Sequence, residues 1–362
     1  MIFPVCGSLD AGNMIWTITD LKTNVFRRRR HQTAQTGQDW VSAQVLRKNY
    51  SAGPEGRDSG QDPMTGKFTL EGIVTALVTP FTHAGEVDED ALREIVRFQL
   101  KHRVHGFFVC GTTGLGPAMS PDQRRRVVEV VVQETGRRIP VVVQVGASDP
   151  QASLELAAHA EKAGADAVAS LTPFYYQPGE EAIVEYFTKL AGTTKLPVFV
   201  YNIPRHTGNN VDASLLLKLS RIPNIVGVKD SSRDFVQLMD YLSVVPAGFG
   251  VINGTDSYLF AALCAGTHAG VSATSNLAPE LFVEMYDAFR RKEYDKAASL
   301  QLKIHALRKS TSKPPIAPLL EGLRLRGLKS GLVKSPLRSM NRDELVELRA
   351  GLSRILPELR IE

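Results

Sequence analysis

Short apolar runs recur along the chain from about Phe68 onward, and each is followed by a longer segment with helical periodicity. The runs are nearly continuous rather than alternating, which is typical of parallel strands covered on both faces. This rhythm predicts strand–helix units throughout this part of the chain. Eight runs occur, at residues 72–78, 106–110, 140–144, 165–170, 197–201, 224–229, 250–253 and 269–272.

The segments between the runs carry helix signals. Residues 92–100 place apolar side chains at the spacing i, i+3, i+4, i+8 of a core-facing stripe. Ser120-Pro121-Asp122-Gln123 is a capping box with proline at the first helical position. Eight such units predict an α/β fold, the (β/α)8 or TIM barrel, over residues 67–362, with additional C-terminal helices from about 280 to 362.

A doubly wound parallel sheet is the alternative architecture. It usually has fewer strands and a glycine-rich turn after the first strand, where this chain has Thr79-Pro80-Phe81. The barrel is therefore favoured.

Residues 1–66 differ from the rest. They contain four successive arginines at 27–30 and a polar stretch rich in Gly, Ser, Asp and Gln at 51–62, with no sustained periodicity. The arginines resemble part of a transit peptide, but no typical targeting segment follows. We interpret 1–66 as a disordered leader or a start-site extension, with Met64 as the alternative start.

The composition excludes several classes of protein. Net charge is +5 and scattered, which argues against a nucleic-acid partner. No apolar run approaches the roughly 18 residues of a membrane span. Three dispersed cysteines indicate a reducing, cytoplasmic compartment, and the eight histidines lack metal-site spacing, so no metal is expected.

Lys229 ends the apolar run 224–229 and precedes the polar stretch Asp230-Ser231-Ser232. A lysine half inside an apolar wall has a lowered pKa, because desolvation disfavours the ammonium, and a neutral amine can form a Schiff base with a ketone. The ordinary alternative is a strand that ends in a surface lysine.

The active site of such a barrel lies at the carboxyl ends of its strands. Those ends supply the turn Gly111-Thr112-Thr113-Gly114, suited to an anion, and Tyr201, a phenol for proton transfer. A tight turn and a core tyrosine are the structural alternatives. The further candidates are Tyr175, an aromatic that could equally serve an interface, and Ser231, Gly254 and Ser272 as substrate-binding residues.

With these motifs in this order, the chain resembles the dihydrodipicolinate synthase/N-acetylneuraminate lyase (DapA) family of class I pyruvate-dependent aldolases. The motifs are the turn 111–114, Tyr201-Asn202-Ile203-Pro204 followed by Thr207-Gly208, and Gly227-Val228-Lys229-Asp230. The resemblance covers about residues 68 to 340.

The resemblance implies a role for each motif. Lys229 would form the Schiff base and Tyr201 would transfer protons, while Thr112 and Thr113 would hold the pyruvate carboxylate. Tyr175 of a neighbouring subunit would join Thr112 and Tyr201 in a hydroxyl relay, which implies a homotetramer built as a dimer of dimers. The imine is its own electron sink, so no cofactor is expected.

Departures from the family pattern bear on the aldehyde partner. After the turn, Leu115-Gly116-Pro117 stands where the family usually has glutamate, and this resembles the 2-keto-3-deoxygluconate aldolases. Synthases also have an arginine directly before the Thr-Gly pair, whereas this chain has His206 there and Arg205 one residue earlier. Arg205 and His206 are nevertheless candidate substrate-binding residues, although bidentate pairing would be altered. We expect cleavage or formation of a 2-keto-3-deoxy sugar acid.

Three alternatives to this activity are open. The chain could be a 4-hydroxy-tetrahydrodipicolinate synthase, which condenses pyruvate with aspartate semialdehyde, or a keto-deoxy acid dehydratase that uses the same imine. It could also be a non-catalytic keto-acid-binding paralogue. Such a paralogue would commonly have lost Lys229 or Tyr201, and both are present.

Overall fold

The eight apolar runs fold into eight parallel strands that close into a barrel in sequence order. The computed structural model describes residues 68–357, and the predicted leader 1–66 lies outside the described residues. The first and last strands pair directly, with Gly72 opposite Ala269. The strands are β1 (Gly72–Ala76), β2 (Gly106–Val109), β3 (Val141–Gln144), β4 (Ala167–Leu171), β5 (Val198–Asn202), β6 (Ile225–Asp230), β7 (Gly250–Asn253) and β8 (Ala269–Ser272).

Twelve α-helices lie within the described residues, and helices surround the barrel strands as the (β/α)8 prediction requires. The first eight are α1 (Glu89–Lys101), α2 (Pro121–Thr135), α3 (Pro150–Ala163), α4 (Glu180–Thr193), the short α5 (Pro204–Thr207), α6 (Ala213–Leu219), α7 (Phe235–Val244) and α8 (Leu259–Ala265). The last four are α9 (Pro279–Arg290), α10 (Tyr294–Ser310), α11 (Ala317–Leu325) and α12 (Arg342–Ile355). The predicted barrel fold with extra C-terminal helices is confirmed.

Local signals account for the helix starts. The predicted capping box is present at α2, where the Ser120 hydroxyl accepts the Gln123 N–H at 3.2 Å and the Gln123 side chain accepts the Ser120 N–H at 3.4 Å. On α1, Leu92, Ile95 and Val96 are fully buried, as the apolar stripe predicts. No helix in the described part of the chain has the length and apolar character needed to cross a membrane.

Five strands end one or two residues from the predicted position, and β6 and β1 show why. The sixth strand continues to Asp230, because Asp230 pairs with Asn202 of β5, so Lys229 is its penultimate residue and not its last. The first strand ends at Ala76 rather than Val78, where the N–H of Val78 donates to the Asn276 side chain at 3.1 Å. Both differences arise from contacts between residues distant in sequence.

Asn276 links the segment that follows the last strand to the end of the first strand. Its buried amide accepts the Val78 N–H and donates to the Ala76 carbonyl at 2.7 Å, while its own carbonyl accepts from Gln99 at 2.8 Å. One side chain thus satisfies backbone groups where β1 ends.

We predict that Asn276→Ala lowers the free energy of unfolding by roughly 2–5 kcal/mol, because it leaves two buried backbone groups without partners. Chemical denaturation of Asn276→Ala and of the control Thr188→Ala, at an exposed hydroxyl on α4, measures this effect. Equal stability of the two variants would show that the barrel closes without this amide.

Candidate active site

Lys229 lies inside the carboxyl end of the barrel and not on its surface. The side chain is 5% exposed, and Nζ is 3.8 Å from the ring centroids of both Phe108 and Tyr201. Burial lowers the lysine pKa, while the hydrogen bond and charge of Tyr201 and the charge of Asp256 oppose that shift. The prediction of an amine in an apolar wall therefore agrees with its position.

The register between strands places the lysine beside the tyrosine. Lys229 of β6 lies directly opposite Tyr201 of β5. Two residues earlier, Gly227 leaves room for Phe199, since a Cβ there would lie 2.5 Å from a Phe199 ring carbon. The glycine therefore allows the Phe199 ring to pack in the barrel interior, in the cluster that also contains Phe108 and Tyr201.

Tyr201 connects the lysine to the turn after β2. It is 2% exposed, its ring packs edge-on against Phe108 at 5.4 Å, and its hydroxyl is 3.2 Å from the Thr112 hydroxyl. Because either hydroxyl can donate, a proton can pass between Tyr201 and Thr112. The structure thus brings together Lys229, Tyr201 and Thr112.

The turn Gly111–Gly114, hereafter the carboxylate turn after the ligand that the sequence predicts for it, carries Thr112 and Thr113. Thr113 is buried and Thr112 is partly exposed. The N–H of Leu115 donates to the Thr112 carbonyl at 3.2 Å, which fixes the backbone of the turn. Two hydroxyls and nearby backbone N–H groups are a suitable arrangement for a carboxylate.

The backbone after Lys229 is tied to both neighbouring strands. Asn202 donates to the Asp230 carboxylate at 2.9 Å, and Gly254 donates to the Asp230 carbonyl at 2.7 Å. The Ser231 N–H donates to the Asn202 carbonyl at 2.8 Å. The candidates Ser231 and Gly254 therefore lie together beside Lys229.

Ser272 is fully buried, and its hydroxyl accepts the Ser275 N–H at 3.0 Å. It also hydrogen-bonds to the carboxylate of Asp256, a residue that sequence reasoning missed. Burial raises the pKa of Asp256, and its charge is close enough to oppose the shift at Lys229. In the sequence, Asp256 could have been recognised as a carboxylate that lies three residues after the end of β7.

Arg205 and His206 lie on α5 at the mouth of the barrel, and both are exposed. Partial burial is the largest cause of the lowered pKa of Arg205, and the charges of Arg233 and Arg308 lower it further. Partial burial also lowers the pKa of His206, with added effects from Arg205 and Arg233. We call Arg205, Arg233 and Arg308 the mouth cations, because the charges of Arg233 and Arg308 act on Arg205 beside the buried site. His206, with its lowered pKa, lies next to them.

Unlike Lys229 and Tyr201, Tyr175 is not buried within a single chain. Its side chain is 86% exposed and packs edge-on against Tyr176, with ring centroids 5.1 Å apart. The position has φ 79°, an uncommon conformation for a bulky residue. Within the described residues, no group of three or more His, Cys, Asp or Glu is placed to hold a metal ion.

Comparison with known proteins gives consistent matches. Residues 69–355 match the model of the dihydrodipicolinate synthetase family. The chain is 34% identical to the 4-hydroxy-tetrahydrodipicolinate synthase of Methanopyrus kandleri, covering 80% of this chain and 99% of that protein. It is 36% identical to an uncharacterised DapA-like lyase of Halobacterium salinarum, covering 78% and 93% respectively.

Solved structures agree with the fold. The prophage protein YagE of E. coli K12, of the dihydrodipicolinic acid synthase family and in complex with pyruvate, superposes with TM-score 0.77 at 26% identity, covering 79% of this chain and 98% of that one. The dihydrodipicolinate synthase of Thermotoga maritima gives TM-score 0.75 at 30% identity, covering 79% and 98% respectively.

We predict that Lys229→Met stabilises the fold in a pH-dependent way. Below the lowered pKa of Lys229, the native protein carries a charged, buried amine, and the free-energy cost of burying that charge is present in full. The cost falls as pH rises toward the unfolded pKa of about 10.4 and vanishes above it. The stability gain of the variant is therefore largest at low pH and shrinks at alkaline pH.

Urea unfolding of wild type and Lys229→Met in matched buffers measures the difference. A gain that is constant from neutral to alkaline pH would mean that burial does not perturb the amine.

Proposed function

The chain belongs to the dihydrodipicolinate synthetase family, whose members are class I pyruvate-dependent lyases, and we propose that it makes or breaks a carbon–carbon bond through an imine at Lys229. The observation that carries this proposal is the buried amine, which lies 3.8 Å from the ring centroids of Phe108 and Tyr201. A fraction of such amines is uncharged and nucleophilic near neutral pH.

The proposed reaction begins with the neutral Lys229 amine. Its lone pair attacks C2 of pyruvate, and a proton moves from the nitrogen to the carbinolamine oxygen. Tyr201 protonates that hydroxyl as it leaves as water, which gives the protonated imine and the Tyr201 phenolate. The Tyr201 phenolate form then removes a proton from the pyruvate methyl group, and the imine nitrogen accepts the electron pair, which gives an enamine. The enamine carbon adds to the aldehyde, whose oxygen takes a proton from Tyr201, and hydrolysis frees Lys229.

Thr112 has two functions in this scheme. Its hydroxyl, 3.2 Å from that of Tyr201, exchanges protons with the phenol between steps. With Thr113, it offers hydroxyl and backbone donors to the carboxylate of the keto acid. The imine itself withdraws the electrons, so the proposal needs no metal or organic cofactor.

For the aldehyde partner, we propose aspartate semialdehyde, which would make the chain a 4-hydroxy-tetrahydrodipicolinate synthase. Relatives from Methanopyrus kandleri and Protochlamydia amoebophila carry that name. The mouth cations also favour an aldehyde that carries an anionic group, as aspartate semialdehyde does. Arg205 and His206 would then contact its carboxylate, near Ser231 and Gly254.

A 2-keto-3-deoxy sugar acid is the second candidate substrate. It is supported by Leu115, which is buried in apolar surroundings directly after the carboxylate turn. A leucine offers no charge to an amino-bearing aldehyde, whereas glyceraldehyde requires none.

We also propose that the active protein is a homotetramer. The exposed Tyr175 in each chain then reaches the Thr112–Tyr201 pair of a neighbour, which explains why a bulky aromatic is exposed in a strained conformation. One solved relative is a monomeric dihydrodipicolinate synthase variant, so assembly can be altered within the family.

We predict that borohydride reduction in the presence of pyruvate attaches a pyruvyl-derived group irreversibly to Lys229. Peptide mass spectrometry locates the adduct. Tyr201→Phe should still be labelled, but its turnover should fall roughly 10²–10⁴-fold, the scale of general acid–base catalysis. Lys218→Met, at an exposed lysine on α6, is the control and should leave labelling intact.

An unlabelled Lys229 peptide at saturating pyruvate would refute the imine. Full turnover in Tyr201→Phe would remove the phenol from the mechanism.

We predict that aspartate semialdehyde is turned over faster than glyceraldehyde when each is supplied with pyruvate. Because Arg205 would pair with the anionic group, Arg205→Ala should raise the KM for the semialdehyde roughly 10- to 100-fold and leave that for glyceraldehyde nearly unchanged. Product formation over an aldehyde panel provides the measurement. A preference for glyceraldehyde would favour the sugar-acid activity instead.

A further inference from the structure

Arg124 is the first of three successive arginines on α2, and it differs from the other two in its surroundings. Arg125 pairs with Asp122 and Glu155, and Arg126 with Glu89 and Glu129 on the protein surface. Arg124 is 4% exposed, and its guanidinium forms no salt bridge with a carboxylate within the described residues.

The Arg124 guanidinium is held by neutral acceptors at the end of β3. It donates to the carbonyl of Gly146 at 3.1 Å, and to the carbonyl and side-chain oxygens of Gln144 at 2.5 and 2.8 Å. Burial of a cation without a counter-charge is costly, and burial lowers the pKa of Arg124. A shorter apolar residue would avoid this cost, so the charge itself requires an explanation.

Arg124 also contacts Cys110, the residue directly before the carboxylate turn. The Cys110 thiol donates to the Arg124 backbone carbonyl, with Sγ 3.8 Å from the oxygen, and the charge of the guanidinium acts on that thiol. Burial raises the pKa of Cys110 to about 11, so it stays a neutral thiol and does not compensate the charge. Cys110 directly precedes Gly111.

The residues directly before and after the carboxylate turn have a strained backbone conformation. Cys110 and Leu115 each have φ 57°, in the left-handed region that disfavours side chains with a Cβ. Gly116 folds back on the turn, with its N–H donating to the Gly111 carbonyl at 3.0 Å, and a Cβ at Gly116 would lie 1.8 Å from the Cys110 carbonyl oxygen. Such a conformation persists only where surrounding contacts fix it.

We propose that Arg124 is a positioning residue for the keto-acid carboxylate: it ties Cys110 and the carboxylate turn to the end of β3 and places a buried positive charge behind that turn. This inference rests on the proposed function, since it assumes that the turn binds pyruvate. Thr112 and Thr113 contact the carboxylate, and Arg124 acts through the backbone that carries them and through its charge. Low local polarity strengthens that attraction.

The test measures the pyruvate concentration that half-saturates borohydride trapping at Lys229, together with the trapping rate at saturation. Arg124→Met should raise the half-saturating concentration roughly 10-fold, the scale of a buried charge that acts without direct contact, with a much smaller change in the saturated rate. Arg124→Lys keeps the charge but loses the planar fork, and should lie between Arg124→Met and wild type. Arg125→Met, on the same helix, is the matched control and should match wild type.

Cys110→Ala provides an independent test if Arg124→Met does not fold. It keeps the arginine and its carbonyl partners but removes the thiol link to the turn, and should raise the half-saturating concentration severalfold. Unchanged pyruvate half-saturation in folded Arg124→Met or in Cys110→Ala would overturn the inference. Failure of wild type to be labelled would instead refute the proposed imine chemistry.

Discussion

The chemistry of the site depends on keeping one amine, that of Lys229, out of water at the carboxyl end of β6. The Lys229 nitrogen lies between the Phe108 and Tyr201 rings, where its ammonium form loses hydration and gains only partial compensation from the rings and from Asp256. A closed barrel can support such a group because its strands and helices fix the surrounding side chains. The catalytic proposal follows from that burial.

The same constraint explains how the neighbouring residues are arranged. Residues of β6 alternate between faces, so Lys229 points into the barrel while Asp230 faces outward and accepts from Asn202 and Ser232. The outward hydrogen bonds fix the backbone that carries the amine. On the other side of the site, the carboxylate turn is fixed by its own backbone bonds and by Arg124. Two rigid edges thus face the space where a keto acid would bind.

Much of this was predictable from the sequence, because strand periodicity, which places each strand end to within one or two residues, is a local property. The barrel, the capping box before α2 and the convergence of Lys229, Tyr201 and Thr112 follow from such patterns. Pairing between distant residues is not local, so the extension of β6 past Lys229 was missed. Asp256 and Arg124 were missed for the same reason, since only the folded chain shows that a carboxylate and an arginine are buried there.

Arg205 and Tyr175 are exposed to solvent in a single chain. Arg205 is exposed on α5, whereas Lys229 and Tyr201 are buried, so under the proposed function recognition of the aldehyde and formation of the imine would occupy separate parts of the site. The most direct test of the account is a carbon-13 NMR titration of ε-labelled lysine, with the Lys229 signal assigned by its loss in Lys229→Met. The account predicts that Lys229 titrates below the ordinary lysine pKa of about 10.4, whereas titration at or above that value would contradict it.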